Sequence, residues 1–139
     1  MTDDQQLATN QRVIEQFRSG GPVEGMHRDR LLLLTTRGRR SGEPRTTPML
    51  GVDDGPTGLR FVVASGAGSP QVPAWFHNLV DEPVVHVEVD GDAYDAVARV
   101  AAGSERAGLW ERLVAAYPFF PDHEAKAGRE LPLVILDRR

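Results

Sequence analysis

Apolar residues in this chain come in short blocks whose spacing changes from one block to the next. Between positions 7 and 18, Leu7, Val13, Ile14 and Phe17 recur at a weakly helical interval. Gly20-Gly21-Pro22 then stops that helix. The run RLLLLTTRG has no helical period. Its length, its threonines and its glycine exit predict a buried strand over 30–36. RRSGEPR reads as a turn, in which Gly42 permits unusual φ and Pro44 pushes Glu43 towards extended geometry. A second strand is predicted over 45–52 and a third over 59–65, with the hairpin signal DDGPTG between them.

Further along, GAGSPQ is a glycine-rich loop, and Pro73 suits the first turn of a short helix, PAWFHNLV, that ends before Pro83. Positions 84–89 alternate, with Val85, Val87 and Val89 on one face and His86 and Glu88 on the other. Asp90-Gly91 marks a tight turn, and 94–100 alternates again. Ser104 is the expected cap of a helix whose buried stripe is Trp110, Leu113, Val114 and Tyr117, with Pro118 ending it. Some helix is expected over 121–127, and LPLVILD is a last strand. The pattern predicts about six antiparallel strands with three or four short helices, without the strand–helix repetition of a doubly wound fold. The fold class is mainly β with short helices (α+β), a small antiparallel barrel. The 139 residues are the size of one domain, 1–139, with 1–25 as an N-terminal helix and linker.

Composition narrows the function. Some 40% of the residues are hydrophobic, enough for a core, and the absence of cysteine excludes disulfides, thiolate metal sites and thiol catalysis. No apolar run reaches the roughly 18 residues of a membrane span, and the polar N-terminus lacks a signal-peptide core. A cytoplasmic location follows as the expectation, with at most peripheral contact at the inner membrane face. The net charge of −4 argues against nucleic acid as a partner. The basic charge is uneven: Arg37, Arg39, Arg40 and Arg45 crowd one turn, while the whole chain has one lysine, Lys126.

Three constellations could carry chemistry. The turn Arg37–Gly42 with Arg45 is either an anion site, built from guanidiniums, a hydroxyl and freed amides, or a solvated basic turn. The loop Ala64, Ser65, Gly66, Ala67, Gly68, Ser69 either lines a planar or anionic ligand or is a flexible connection. Trp75 and Asn78 share a helical face and either border a ring or are a core tryptophan beside an amide bonded to nearby backbone. His27, His77, His86 and His123 have no metal-site spacing, so no metal is expected. An anion clamp beside a ring-binding helix, without an evident nucleophile, suits chemistry carried by a cofactor.

The stretches LLLLTTRGRRSGEPRTTPM, VVASGAGSPQVPAWFHNLVDEPVVHVEV, ERAGLWERLVAAYP and RELPLVILD resemble, in order, the deazaflavin-dependent nitroreductase family over 31–137. The resemblance implies a split β-barrel of the FMN-binding-like type and coenzyme F420, which has a deazaflavin ring, a phosphate and an anionic oligoglutamate tail. Carried onto matching positions, Arg39, Arg40, Ser41, Gly42 and Arg45 would hold phosphate and tail. Thr47, Pro48, Met49 and Ala64, Ser65, Gly66, Ala67, Gly68 would border the ring, with Trp75 and Asn78 closing the site. Two departures stand out. Family members carry lysine where this chain has Gly66, a loss worth about 1–2 kcal/mol of anion binding if that bond is charge-assisted. Relatives that reduce nitroaromatics are tyrosine-rich after the last long helix, where this chain reads Tyr117-Pro118-Phe119-Phe120-Pro121-Asp122-His123.

The expected reaction is hydride transfer between reduced deazaflavin and a small planar apolar acceptor, a quinone or nitroaromatic. Phe17, Leu50, Tyr117, Phe119, Phe120 and His123 are the expected acceptor-lining residues, and Ser65, Tyr117 and His123 the candidate hydrogen-bond donors to it. The alternatives are an FMN-binding split-barrel reductase and a non-catalytic carrier of deazaflavin or an apolar ligand. The expected state is monomer or homodimer.

Overall fold

The computed structural model describes residues 3–23 and 27–139. Residues 1–2 and 24–26, which include part of the predicted N-terminal linker, lie outside the described residues. Among the described residues four α-helices accompany seven strands: α1 (Asp3–Arg18), β1 (Leu31–Arg37), β2 (Pro44–Leu50), β3 (Val52–Asp54), β4 (Leu59–Val63), α2 (Ala74–Asp81), β5 (Val84–Val89), β6 (Asp92–Val100), α3 (Gly103–Ala116), α4 (Phe120–Ala127) and β7 (Leu133–Arg138). All strands form one sheet in the order β2-β1-β5-β6-β7-β4-β3, and every pairing is antiparallel.

That order dictates the shape. β2 and β3 stand at opposite ends of the sheet, yet only Gly51 separates them in sequence. The sheet must therefore curl until its two ends meet, and β2 and β4 do come into contact. The pattern predicts one strand over 45–52, and the structure divides it because the chain leaves one sheet end and enters the other at Gly51. A Cβ at Gly51 would sit 3.0 Å from Leu32 Cβ, so the corner needs glycine on steric grounds. The Gly51 amide donates to the Arg30 carbonyl at 2.9 Å and fixes the corner against the start of β1.

The unbroken apolar runs are explained by coverage on both faces. Leu32 and Leu34 of β1 join Val62, Val85, Val87, Ala96, Ala98, Val134 and Leu136 in a core within the curl, to which α2 adds Trp75 and Leu79. Leu31 and Leu33 point the other way, into a cluster with Val13 and Phe17 of α1. On β7, Leu133 and Ile135 face a third cluster beneath α3 and α4, with Leu109, Leu113, Phe120 and Ala127. Ser104 does not cap α3. The chain arrives extended at Ala102, turns at Gly103 with φ 58, and leaves Ser104 inside the first turn. The buried stripe of α3 is Leu109 and Leu113, while Trp110, Val114 and Tyr117 are half-buried. Among the described residues no helix is long and apolar enough to cross a membrane.

Candidate functional site

The arginine turn is a closed loop at the end of β1. The Gly38 amide donates to the Glu43 carbonyl and the Gly42 amide to the Gly38 carbonyl, each at 2.8 Å. Gly42 has φ 74, which favours glycine, and a Cβ at Gly38 would lie 3.1 Å from the Glu43 carbonyl, so the turn closes tightly on both. Ser41 Oγ accepts from the Glu43 amide at 3.1 Å and takes a long contact from Arg45 Nη2 at 3.5 Å. Asn78 of α2 locks the turn in place. Its Oδ1 accepts from the Arg39 amide at 3.2 Å, and its Nδ2 donates to the buried Thr36 hydroxyl at 3.1 Å.

The guanidiniums at this turn make no direct ion pair. Arg18, Arg28, Arg60, Arg99, Arg112 and Arg138 each pair with a carboxylate. Among the described residues no ion pair involves Arg37, Arg39, Arg40 or Arg45. Four exposed guanidiniums on one turn leave their donors free to bond an anion. The turn faces an open groove of about 870 Å³ whose walls include Gly38, Arg39, Arg40, Ser41, Arg45, Thr46, Thr47, Ala74, Trp75 and Asn78. α1 supplies the opposite wall with Leu7, Asn10, Gln11, Ile14 and Arg18, and Arg18 ties that helix to Glu88 of β5 at 2.8 Å. A smaller groove of about 390 Å³ lies on the other side of the turn, between Arg37, Arg39 and Arg40 and the acidic pair Asp81 and Glu82.

A second group gathers around α4. Tyr117, Phe119, Phe120 and His123 form a cluster of edge-on and tilted ring contacts, with centroids of the contacting pairs 4.5–6.2 Å apart. His123 Nδ1 is buried without a hydrogen-bond partner, so ring packing holds this side chain. Phe120 is buried and Phe119 exposed. The glycine-rich loop sits against α4: a Cβ at Gly68 would meet the Lys126 stem at 3.0 Å and the His123 carbonyl at 3.4 Å. Leu50 packs beside the same cluster as Tyr117, and Arg30 lies over the Tyr117 ring at 5.8 Å. β2 joins the two groups, running from Arg45 and Thr47 in the groove through Pro48 and the half-buried Met49 to Leu50.

The expected site residues thus fall into two sets at either end of β2. Arg39, Arg40, Ser41, Arg45, Thr47, Trp75 and Asn78 share one groove, while Gly42 lines the smaller one. Ser65, Gly66 and Gly68 lie by α4 and line neither groove, and Ala64 is fully buried in the core. Phe17 is not brought to Phe119 and Phe120. Its ring is buried under α1 with Arg28 stacked on it at 4.5 Å, because its helix face points at Leu31 and Leu33 of β1 rather than at an open cavity. The sequence reading missed Arg129, whose guanidinium bonds the carbonyls of the glycine-rich loop, and it missed the α1 wall of the groove. The i, i+3, i+4, i+7 spacing of Leu7, Asn10, Gln11 and Ile14 was the available signal for that wall.

Comparison with known proteins gives the family and the fold. A family model described as F420H(2)-dependent quinone reductase matches residues 8–138. A Mycobacterium tuberculosis protein named as an F420H(2)-dependent quinone reductase is 32% identical over 111 residues, covering 78% of this chain and 73% of the relative. Another protein of that organism, with the same reductase in its name, is 37% identical over 108 residues, covering 78% and 89%. A solved F420-H2 dependent reductase superposes with a TM-score of 0.69 at 33% identity, covering 81% of this chain and 100% of the other. A second solved relative, described as a domain-swapped dimer, gives 0.71 at 32% identity, covering 89% and 93%.

Proposed function

The chain belongs to the F420H(2)-dependent quinone reductase family, and on that premise we propose that it transfers hydride from reduced F420 to a planar apolar quinone. The observation that carries this reading is the set of unpaired guanidiniums on a rigid turn, beside Trp75 and Asn78, in a single groove. An anionic phosphate and oligoglutamate tail fit such a turn, and Thr47, Pro48 and Met49 of β2 lead from it to the aromatic cluster. Arg39, Arg40 and Arg45 would hold the anionic part by charge-assisted bonds, with Ser41 as a neutral partner and Gly42 shaping the turn through its positive φ. Trp75 and the segment 47–49 would border the ring, with Ser65, Gly66, Ala67 and Gly68 on its other margin. When bound, reduced F420 supplies the hydride, two electrons and a proton donated together.

The protein's own part is position, exclusion of water and delivery of the second proton. Leu50, Tyr117 and Phe119 offer an apolar bed for the quinone, with the buried Phe120 supporting them from behind, and Phe17 takes no part, since it is sealed in a separate core under α1. Ser65, Tyr117 and His123 are the groups able to donate a hydrogen bond to the quinone oxygen that becomes the quinol hydroxyl. The chain acts as a homodimer, a reading supported by the domain-swapped relative. It works in the cytoplasm, with membrane contact limited to the surface. Light scattering tests the dimer.

The deciding experiment follows oxidised F420 and FMN binding by fluorescence for the wild type, Arg40→Ala and Arg45→Ala. Each lost charge-assisted bond is worth about 1.5–3 kcal/mol, so F420 affinity should fall roughly tenfold to a hundredfold in each variant. Turnover of a quinone panel with reduced F420 then separates an enzyme from a carrier. Equal binding by wild type and both variants, or a preference for FMN, would defeat the assignment.

A further inference from the structure

We infer that Arg129 is a positioning residue, setting the glycine-rich loop 64–71 in its cofactor-ready shape before any ligand arrives. The inference rests on the assignment of that loop to the deazaflavin margin. Arg129 spends its guanidinium on main chain alone. Nη1 donates to the Ala64 carbonyl at 3.2 Å, Nη2 to the Ser65 and Gln71 carbonyls at 3.3 Å, and Nε to the Ser69 carbonyl at 3.3 Å. The donors thus span both ends of the loop from one planar group, a geometry that lysine cannot reproduce.

The loop needs such a hold. Gly66 and Gly68 both adopt positive φ, 54° and 84°, and glycine loses more freedom on ordering than any other residue. The loop's own bonds are local, from the Gly68 amide to the Ser65 carbonyl at 3.0 Å, the Ser69 amide to the Gly66 carbonyl at 3.1 Å and the Gln71 amide to Ser69 Oγ at 3.2 Å. The Ala64 amide is tied to the Pro132 carbonyl at 2.9 Å, and Arg129 is the group that joins the two ends. Arg129 itself stands on a fixed base. Gly128 ends α4 in the left-handed region, the Leu131 amide donates to Glu124 Oε2 at 3.1 Å, and Glu130 pairs with Arg106 at 2.7 Å. Arg106 also draws Glu124, at 3.6 Å, and donates to the Leu131 carbonyl. The neighbouring acids are therefore engaged elsewhere, and Arg129 stays directed at the loop. A loop ordered in advance spares the cofactor the entropy of ordering it.

Hydrogen exchange on the ligand-free protein and F420 binding should be measured together for wild type, Arg129→Lys and Arg129→Gln. Exchange of amides in 65–71 is expected to rise at least tenfold in both variants, with β4 and β7 protected as before. F420 affinity should fall about tenfold, while the quinone KM at saturating reduced F420 is unchanged. Faster loop exchange with undiminished F420 affinity overturns the inference. So does weaker affinity without faster loop exchange, or loss of protection throughout β4 and β7, which would make Arg129 a general structural residue. If wild type fails to bind F420, the assignment of the cofactor fails, whereas the exchange data still report whether Arg129 orders the loop.

Discussion

Asn78 offers the sharpest test of how the arginine turn is held. Its amide makes two bonds, one to the Arg39 amide and one to the Thr36 hydroxyl, and both Asn78 and Thr36 are buried, at 7% and 1% exposure. In Asn78→Ala the Thr36 hydroxyl loses its donor inside the protein, while the Arg39 amide, at the lip of the groove, can turn to water. An orphaned buried polar group costs about 1–3 kcal/mol and a solvent-replaceable bond about 0.5–1 kcal/mol. We expect about 2–3 kcal/mol of destabilisation, a fall of roughly 7–10 °C in Tm for a chain of 139 residues. Thr36→Val leaves Asn78 Nδ2 without its acceptor and should cost about 1–2 kcal/mol. The double variant removes both members of the buried pair, so its cost should be smaller than the sum by about 1 kcal/mol. Urea unfolding of the four proteins measures this coupling, and F420 binding shows whether the loosened turn also loses affinity. Additivity within about 0.3 kcal/mol would refute the claim that Asn78 holds the turn through Thr36.

The other predictions are briefer. Gly51→Ala should destabilise by about 1–3 kcal/mol, read from urea unfolding, because the added methyl meets Leu32 Cβ at 3.0 Å and Cδ1 at 3.1 Å. The Arg112 guanidinium, at 2.6 Å and 3.0 Å, and the Thr57 hydroxyl hold the Asp54 carboxyl below the ordinary aspartate value. Because the folded value is the lower one, Asp54 contributes stability above the unfolded value near 3.9, and that contribution is lost as pH falls below about 4. Urea midpoints between pH 2 and 6 should show this loss in the wild type and a flatter profile in Asp54→Asn. F420 affinity should weaken with added salt, and Arg45→Ala should reduce that dependence, since the turn's arginines have no internal acid partner.

Much of this fold is legible in local pattern. Pro73 and Pro83 bracket α2, Asp90-Gly91 joins β5 to β6, and the LLLL and LVIL runs declare strands covered on both faces. The errors arise where distant residues decide the outcome. The corner at Gly51 depends on Leu32 and Arg30, and nothing within 45–52 marks a change of sheet edge. The stripe on α3 is displaced to Leu109 because β7 and α4 determine which face is covered. In the site, the arginine turn was visible because its charges are contiguous. Arg129 was invisible because its partners lie 58–65 residues away and are backbone carbonyls, which leave no trace in side-chain sequence. Phe17 misled for the opposite reason: an aromatic residue on an amphipathic helix reads the same whether it covers a ligand or a strand.

The curled sheet also bears on how this chain resists open-ended strand addition at high concentration. A sheet whose ends meet at a covalent corner still presents two outer strand edges, and unpaired edges invite aggregation. Here one edge, β2, contains Pro44 and Pro48, which have no amide to offer an incoming strand. The other, β3, is three residues long and carries Asp53 and Asp54. The same strand that leads from the arginine turn to the aromatic cluster is thereby a poor template for fibre growth, because an incoming strand finds no amide at Pro44 or Pro48.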